Sequence, residues 1–88
     1  MKLVNVEISY REEKVFLTLN VEGVAVELPP ISRSESAHLG RTLLAASVVA
    51  DHVPAPWAET ADAFLTKEDA NNVGAILMAM AGESVLGV

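Results

Sequence analysis

Apolar and polar residues alternate one for one along residues 3–28, and two short interruptions divide this stretch into three segments. Such alternation predicts β-strands that are buried on one face only. The first interruption covers residues 11–14, and the second is the pair Glu22 and Gly23. The residues predicted on the buried face are Val4, Val6, Ile8, Tyr10, Val15, Leu17, Leu19, Val21, Val24, Val26 and Leu28.

The lengths of these interruptions determine how the strands pair. The four-residue loop places Tyr10 opposite Val15, and the two-residue turn places Val21 opposite Val24. Residues directly opposite each other share a face, and a slip by one residue turns a strand over. Both connections give the same apolar face. The sequence therefore predicts a three-stranded antiparallel β-meander over residues 1–28, in which the second strand is central and the other two are edges.

A helical region begins after the meander. Ser32 and Glu35 have the spacing of a capping box, which predicts a first helix over residues 33–52 with Ser47 on its exposed side. Two prolines then end this helix. The helix is expected to cover the apolar face of the sheet, because a half-buried sheet needs a second layer.

Two further helices are predicted downstream. The spacing of apolar residues favours a short acidic helix over residues 57–65. A third helix over residues 67–81 has Thr66 as its N-cap and is closed by Gly82.

These elements indicate an α+β fold, with an N-terminal three-stranded antiparallel β-meander and two to three α-helices packed on one face. The whole chain, 1–88, is predicted to be a single domain with the meander at 1–28, a helical part at 32–82 and a tail at 83–88. The tail is a candidate edge strand.

The third helix is apolar on all sides from Gly74 onward, and a helix of that kind needs burial on several sides. Either the rest of the chain or a second subunit supplies that burial, and the small size of the chain favours a homodimer. The residues predicted to mediate self-association are Ile76, Leu77, Met78 and Met80.

Charge narrows the choice of partner, because the net charge is −6. The excess of negative charge lies after residue 42, where the chain has one lysine or arginine, Lys67, and six acidic residues. These are Asp51, Glu59, Asp62, Glu68, Asp69 and Glu83. This balance disfavours direct binding to nucleic acid or to an anionic membrane. A basic protein surface is the more natural partner. The residues predicted to bind it are Glu59, Asp62, Glu68 and Asp69, together with Trp57, which either anchors the partner or is buried at the edge of the core.

Candidate chemistry is sparse. His38 and His52 are the only histidines, and on one helix they are separated by about 21 Å, too far to share a metal ion. No glycine-rich phosphate loop follows a strand, and there is no cysteine. The sequence therefore predicts no catalytic residue, no cofactor and no metal. A histidine-dependent enzyme or ligand carrier is the minor alternative.

In size, acidity and the strand formed by residues 1–9 ahead of an α+β pattern, the chain resembles the anti-CRISPR proteins, small phage-encoded inhibitors of bacterial defence. The resemblance includes no motif, so it transfers no functional residue. It implies an acidic, non-enzymatic protein-binding module that acts as an inhibitor or regulator in the cytoplasm. The alternative is a structural subunit that assembles with itself. No apolar run reaches the roughly 20 residues needed to span a bilayer.

Overall fold

A computed structural model of the protein describes residues 2–57 and 62–82. Within these residues the chain forms a mixed sheet and two helices, which confirms the α+β prediction. The elements are β1 (Lys2–Arg11), β2 (Lys14–Val21), β3 (Val24–Glu27), α1 (Arg33–Val49), β4 (His52–Pro54), β5 (Ala63–Thr66) and α2 (Lys67–Met80).

The predicted pairing of the first three strands is confirmed. Tyr10 lies opposite Val15 between β1 and β2, and Val21 lies opposite Val24 between β2 and β3. The first loop is shorter than predicted, because Arg11 and Lys14 belong to the strands and pair with each other. Both connections are therefore two-residue turns.

The meander does not make up the whole sheet, which corrects the three-stranded prediction. Among the described residues the sheet has five strands in the order β3-β2-β1-β5-β4. β1, and not β2, is central, because its first residues, Lys2 and Leu3, pair in parallel with Ala63 and Phe64 of β5. From Val6 onward the same side of β1 has no neighbouring strand among the described residues.

The prediction of a helix over residues 57–65 is wrong for its last residues, because Ala63–Thr66 is a strand. Ala63 and Leu65 are buried while Phe64 points to the other face, so the period here is two. Short apolar runs fit a strand and a helix equally well. Pairing with β1 and β4 selects the strand.

The first helix ends earlier than predicted. It begins at the predicted capping box, in which the Ser32 hydroxyl accepts a hydrogen bond from the Glu35 backbone N–H at 3.2 Å. It ends at Val49 because the following residues enter β4, where His52 pairs with Thr66. Pro54 is tolerated in β4 because that strand lies at the edge of the sheet.

The second observed helix, α2, matches the predicted third helix closely. The Thr66 hydroxyl accepts a hydrogen bond from the Asp69 backbone N–H at 3.1 Å. Gly82 follows the C-cap residue Ala81 with a φ of +76°, the left-handed conformation that ends many helices.

The two helices pack against each other at a pair of glycines. A Cβ on Gly40 would lie 2.7 Å from the Gly74 carbonyl oxygen, and a Cβ on Gly74 would lie 2.8 Å from the Gly40 oxygen. The Ser36 hydroxyl donates a 2.6 Å hydrogen bond to the Leu77 carbonyl oxygen across the same contact. α1 therefore turns its small residues toward α2.

This close contact explains an error in the predicted orientation of α1. Ser47 is buried, with an exposed fraction of 2%, whereas Val48 and Val49 are exposed. The periodicity of apolar residues suggested the reverse for Ser47. Small side chains are buried here because the backbones approach closely, and the Ser47 hydroxyl is satisfied by donating to the Leu44 carbonyl oxygen at 2.7 Å.

The core lies between the helix pair and one face of the sheet. Leu17, Leu43, Leu65 and Leu77 are its largest fully buried side chains. The predicted apolar face is covered only in part. Its exposed members are Tyr10, Val24 and Val26, and its half-buried members are Val6, Ile8, Val21 and Leu28.

The two turns of the meander permit a test of backbone strain. Glu12 and Glu13 have φ values of 53° and 61°, and Glu22 and Gly23 have 52° and 84°, so both turns have the positive φ angles of type I′. Glu13→Gly is expected to raise the free energy of unfolding by about 0.5–1 kcal/mol, because glycine adopts this conformation without strain. Gly23→Ala, at the equivalent position of the other turn, is expected to lower it by a similar amount. Urea denaturation measures both changes, and equal signs for the two substitutions would contradict this explanation.

Candidate functional site

A surface cleft of about 610 Å³ lies where the end of α1 meets the start of α2. We call it the asparagine cleft. Its lining residues are Ser47, Val48, Lys67, Glu68, Asn71 and Asn72.

The helix contact positions the walls of this cleft. α1 contributes Ser47 and Val48 from its last turn, and α2 contributes the remaining residues from its first two turns. On α2, Lys67 and Asn71 are four residues apart, as are Glu68 and Asn72, so they form two adjacent rows. The Asn71 side-chain amide donates to the Ser47 hydroxyl at 3.5 Å, which connects the two walls.

The α1 wall of the cleft is unusually apolar for a surface. Val48 is 73% exposed and its neighbour Val49 is 85% exposed. Both valines belong to the last turn of α1, after which the chain enters β4. A partner that covers them removes apolar area from water, which is favourable.

Acidic residues are grouped just after the end of α1 and at the start of α2. The Lys67 backbone N–H donates to the Asp51 carbonyl oxygen at 2.9 Å, which holds the exposed Asp51 beside the start of α2. Glu68 and Asp69 occupy the first turn of α2, where carboxylates are favoured by the helix dipole. Lys67 is the one base among these four residues. Lys67 and Glu68 line the cleft itself, and Asp51 and Asp69 next to it make the region negative as a whole.

The structure separates the residues that the sequence grouped as partner-binding. Glu68 lines the cleft and Asp69 lies next to it, half-buried. Asp62 precedes β5, whereas Glu68 and Asp69 follow it. At the usual rise per residue, Asp62 lies about 13 Å from Thr66, the last residue of that strand. Trp57 is half-buried and packs against the core, and its indole nitrogen has no hydrogen-bond partner among the described residues. Glu59 lies outside the described residues.

The predicted self-association residues are also divided. Leu77 and Met78 are buried within the chain, with exposed fractions of 0% and 7%. Met80 is half-buried, and Ile76 is 43% exposed. Of the four, Ile76 is the one that offers substantial surface to a second molecule. The tail at 83–88, a candidate edge strand, lies outside the described residues.

The prediction that both histidines lie on the first helix is wrong, because that helix ends at Val49 and His52 belongs to a strand. His38 is exposed and borders a smaller cleft of about 280 Å³ with Ser34, Glu35 and Leu39, whereas His52 is exposed in β4. Over residues 2–57 and 62–82, no group of three or more histidine, cysteine or acidic side chains is arranged to hold a metal ion. No helix in the described part of the chain is long and apolar enough to cross a membrane.

Of the acidic residues that the sequence predicts to bind a partner, Glu68 lines the asparagine cleft, whereas sequence reasoning missed the other residues of its walls. Ser47 was placed on the exposed side of α1, and Asn71 and Asn72 were seen only as the polar start of a helix.

Comparisons of the chain with protein family models, with curated proteins and with solved structures found no match.

Proposed function

We propose that the protein is a small acidic, non-enzymatic protein-binding module whose asparagine cleft takes a basic, partly apolar segment of a partner protein. The observation that carries this proposal is the exposure of Val48 and Val49 close to acidic residues, of which Glu68 lines the same cleft as Val48 and Asp51 follows Val49 by two residues. A partner segment with an aliphatic side chain next to lysine or arginine complements both features.

The polar groups of the cleft suit a peptide ligand. The Asn72 side chain is exposed, and its amide is able to donate to and accept from a peptide backbone. Hydrogen bonds of this kind fix the orientation of a bound segment, while the valines provide the apolar contact. The Ser47 hydroxyl donates to Leu44 and contacts Asn71. These contacts support a structural role for Ser47.

Binding alone is sufficient for an inhibitory role. A basic protein surface attracts acidic or phosphate-bearing ligands, and an acidic module that covers it competes with them directly. The proposal therefore extends to an inhibitor or regulator of the anti-CRISPR type, acting by occupation of a basic surface.

A random-peptide display selection on the immobilised protein tests the proposal. We expect enriched peptides to carry lysine or arginine next to a valine, leucine or isoleucine. Glu68→Lys is expected to weaken their binding about tenfold at low ionic strength, because it reverses a rim charge. Val48→Ser removes apolar contact and is expected to weaken binding at every salt concentration.

Glu12→Lys is the matched control, because it makes the same change of charge at an exposed turn of the meander. It is expected to leave peptide binding unchanged. Peptides without a basic bias, or equal losses for Glu68→Lys and Glu12→Lys, would refute the proposed use of the cleft.

A further inference from the structure

We infer that the open side of β1 pairs with the same strand of a second copy, in an antiparallel register centred on Ser9. This interface is separate from the asparagine cleft and does not depend on the proposed function. The inference follows from the direction of the backbone groups, the unprotected character of this edge, and its charges.

The backbone groups on this side of β1 belong to its even-numbered residues. The Lys2 N–H donates to the Asp62 carbonyl oxygen at 2.7 Å, so Lys2 faces β5. Backbone groups of successive strand residues point to opposite sides. The N–H and C=O groups of Val6, Ile8 and Tyr10 therefore point to the same side, beyond the end of β5, where the described residues place no strand.

This edge lacks the protection that the other two edges have. β3 is four residues long and is followed by Pro29 and Pro30, and β4 is three residues long and contains Pro54. Short strands and prolines discourage the addition of a further strand. The open part of β1, from Val6 to Arg11, has no proline and is long enough for a stable ladder.

The hydrogen-bonding pattern limits the registers that a symmetric pair can adopt. Even-numbered residues must face even-numbered residues, because both members of a hydrogen-bonded pair point toward each other. Centring the pair on Glu7 opposes two like charges, which is unfavourable. Centring it on Ile8 places Glu7 opposite the partner's Ser9, and centring it on Tyr10 places Arg11 opposite the partner's Ser9, so neither of these registers pairs opposite charges. Centring it on Ser9 places Glu7 opposite the partner's Arg11, and by symmetry Arg11 opposite the partner's Glu7.

The positions of Glu7 and Arg11 within one chain favour this register. Glu7 and Glu27 both lie opposite Thr18, so Glu7 has another acid on its β2 side. The Arg11 guanidinium carbon lies 4.1 Å from the centre of the Phe16 ring, which holds its charge on the same face of the sheet as Glu7. No ion pair among the described residues involves Glu7 or Arg11.

The opposite face of the sheet gains apolar contact in the same register. Ile8 lies opposite the partner's Tyr10, and Tyr10 is 42% exposed in the single chain. Val6 and Ile8 are half-buried there. The pairing therefore joins the two partly covered apolar faces into one surface.

Disulfide trapping tests the register, because the protein has no cysteine of its own. Ser9→Cys is expected to form a covalent dimer on mild oxidation, since the residues at the centre have Cα atoms about 4.5 Å apart in a non-hydrogen-bonded pair, within disulfide range. Ala25→Cys, exposed on the same face of the edge strand β3, is the matched control and is expected to form no covalent dimer.

Light scattering with charge variants provides the second measurement. The wild-type protein is expected to have twice the chain mass of 9.3 kDa. Arg11→Glu is expected to weaken dimerisation at least about tenfold, because like charges then face each other twice. Combining Glu7→Arg with Arg11→Glu restores the attraction and is expected to restore the dimer.

A wild-type protein that is monomeric at every concentration overturns the inference. Stronger cross-linking of Ala25→Cys than of Ser9→Cys overturns it in favour of β3. A double charge variant as weak as Arg11→Glu overturns the register.

Discussion

Replacement of Leu77 by aspartate is expected to unfold the protein, whereas the same replacement at the adjacent Ile76 is expected to leave it folded. Leu77 is fully buried and Ile76 is 43% exposed. Loss of a buried leucine costs about 2–5 kcal/mol, and an unpaired carboxylate in its place adds several more. The sum approaches or exceeds the total stability of about 5–15 kcal/mol that is typical of a small domain.

Circular dichroism at 222 nm and light scattering together measure the outcome. Ile76→Asp is the control, because it introduces the same charge one residue away on the same helix. A folded Leu77→Asp protein with a reduced mass would show that Leu77 serves a subunit contact instead of the core of one chain. Loss of helical signal in Leu77→Asp alone agrees with the structure.

Replacement of Gly74 by alanine is expected to lower the free energy of unfolding by about 2–3 kcal/mol, in the range seen for overpacked cores. Alanine favours a helix over glycine by about 1 kcal/mol, so propensity alone predicts the opposite sign. The added Cβ lies 2.8 Å from the Gly40 carbonyl oxygen and 2.9 Å from the Leu44 side chain. Since a backbone oxygen cannot move aside like a flexible side chain, the helices must separate.

Thermal denaturation followed by circular dichroism measures this effect. A loss of 2–3 kcal/mol corresponds to a fall in Tm of roughly 10–20 °C for a domain of this size. Ala45→Gln, which adds volume on the exposed side of α1, is the control and is expected to change Tm little. An increase in Tm for Gly74→Ala would show that the helices are farther apart at Gly40 and Gly74 than the structure indicates.

The parts of the fold that could be predicted from sequence are those determined by neighbouring residues. The two turns set the registers of β1, β2 and β3, because a loop length and a period of two leave one solution. The start of α1 and both ends of α2 were predicted correctly for a similar reason, since caps depend on side chains within a few residues of the helix end.

The parts that could not be predicted depend on contacts between distant segments. Strands β4 and β5 have three and four residues, too few for a period to be distinguished. The burial of Ser47 follows from the contact between Gly40 and Gly74, and nothing local to α1 reveals that contact. The asparagine cleft was missed with it, because that contact also brings Val48 toward Asn71.

The position of β1 has a consequence for the order in which the protein assembles during synthesis. One neighbour of this central strand follows it after a two-residue turn, whereas the other is reached only at Ala63. The hairpins therefore form from local contacts as soon as they emerge, while closure of the parallel pair pays the entropy of a long loop and comes late. Until β5 has been synthesised, the backbone N–H and C=O groups on that side of β1 have no strand to pair with.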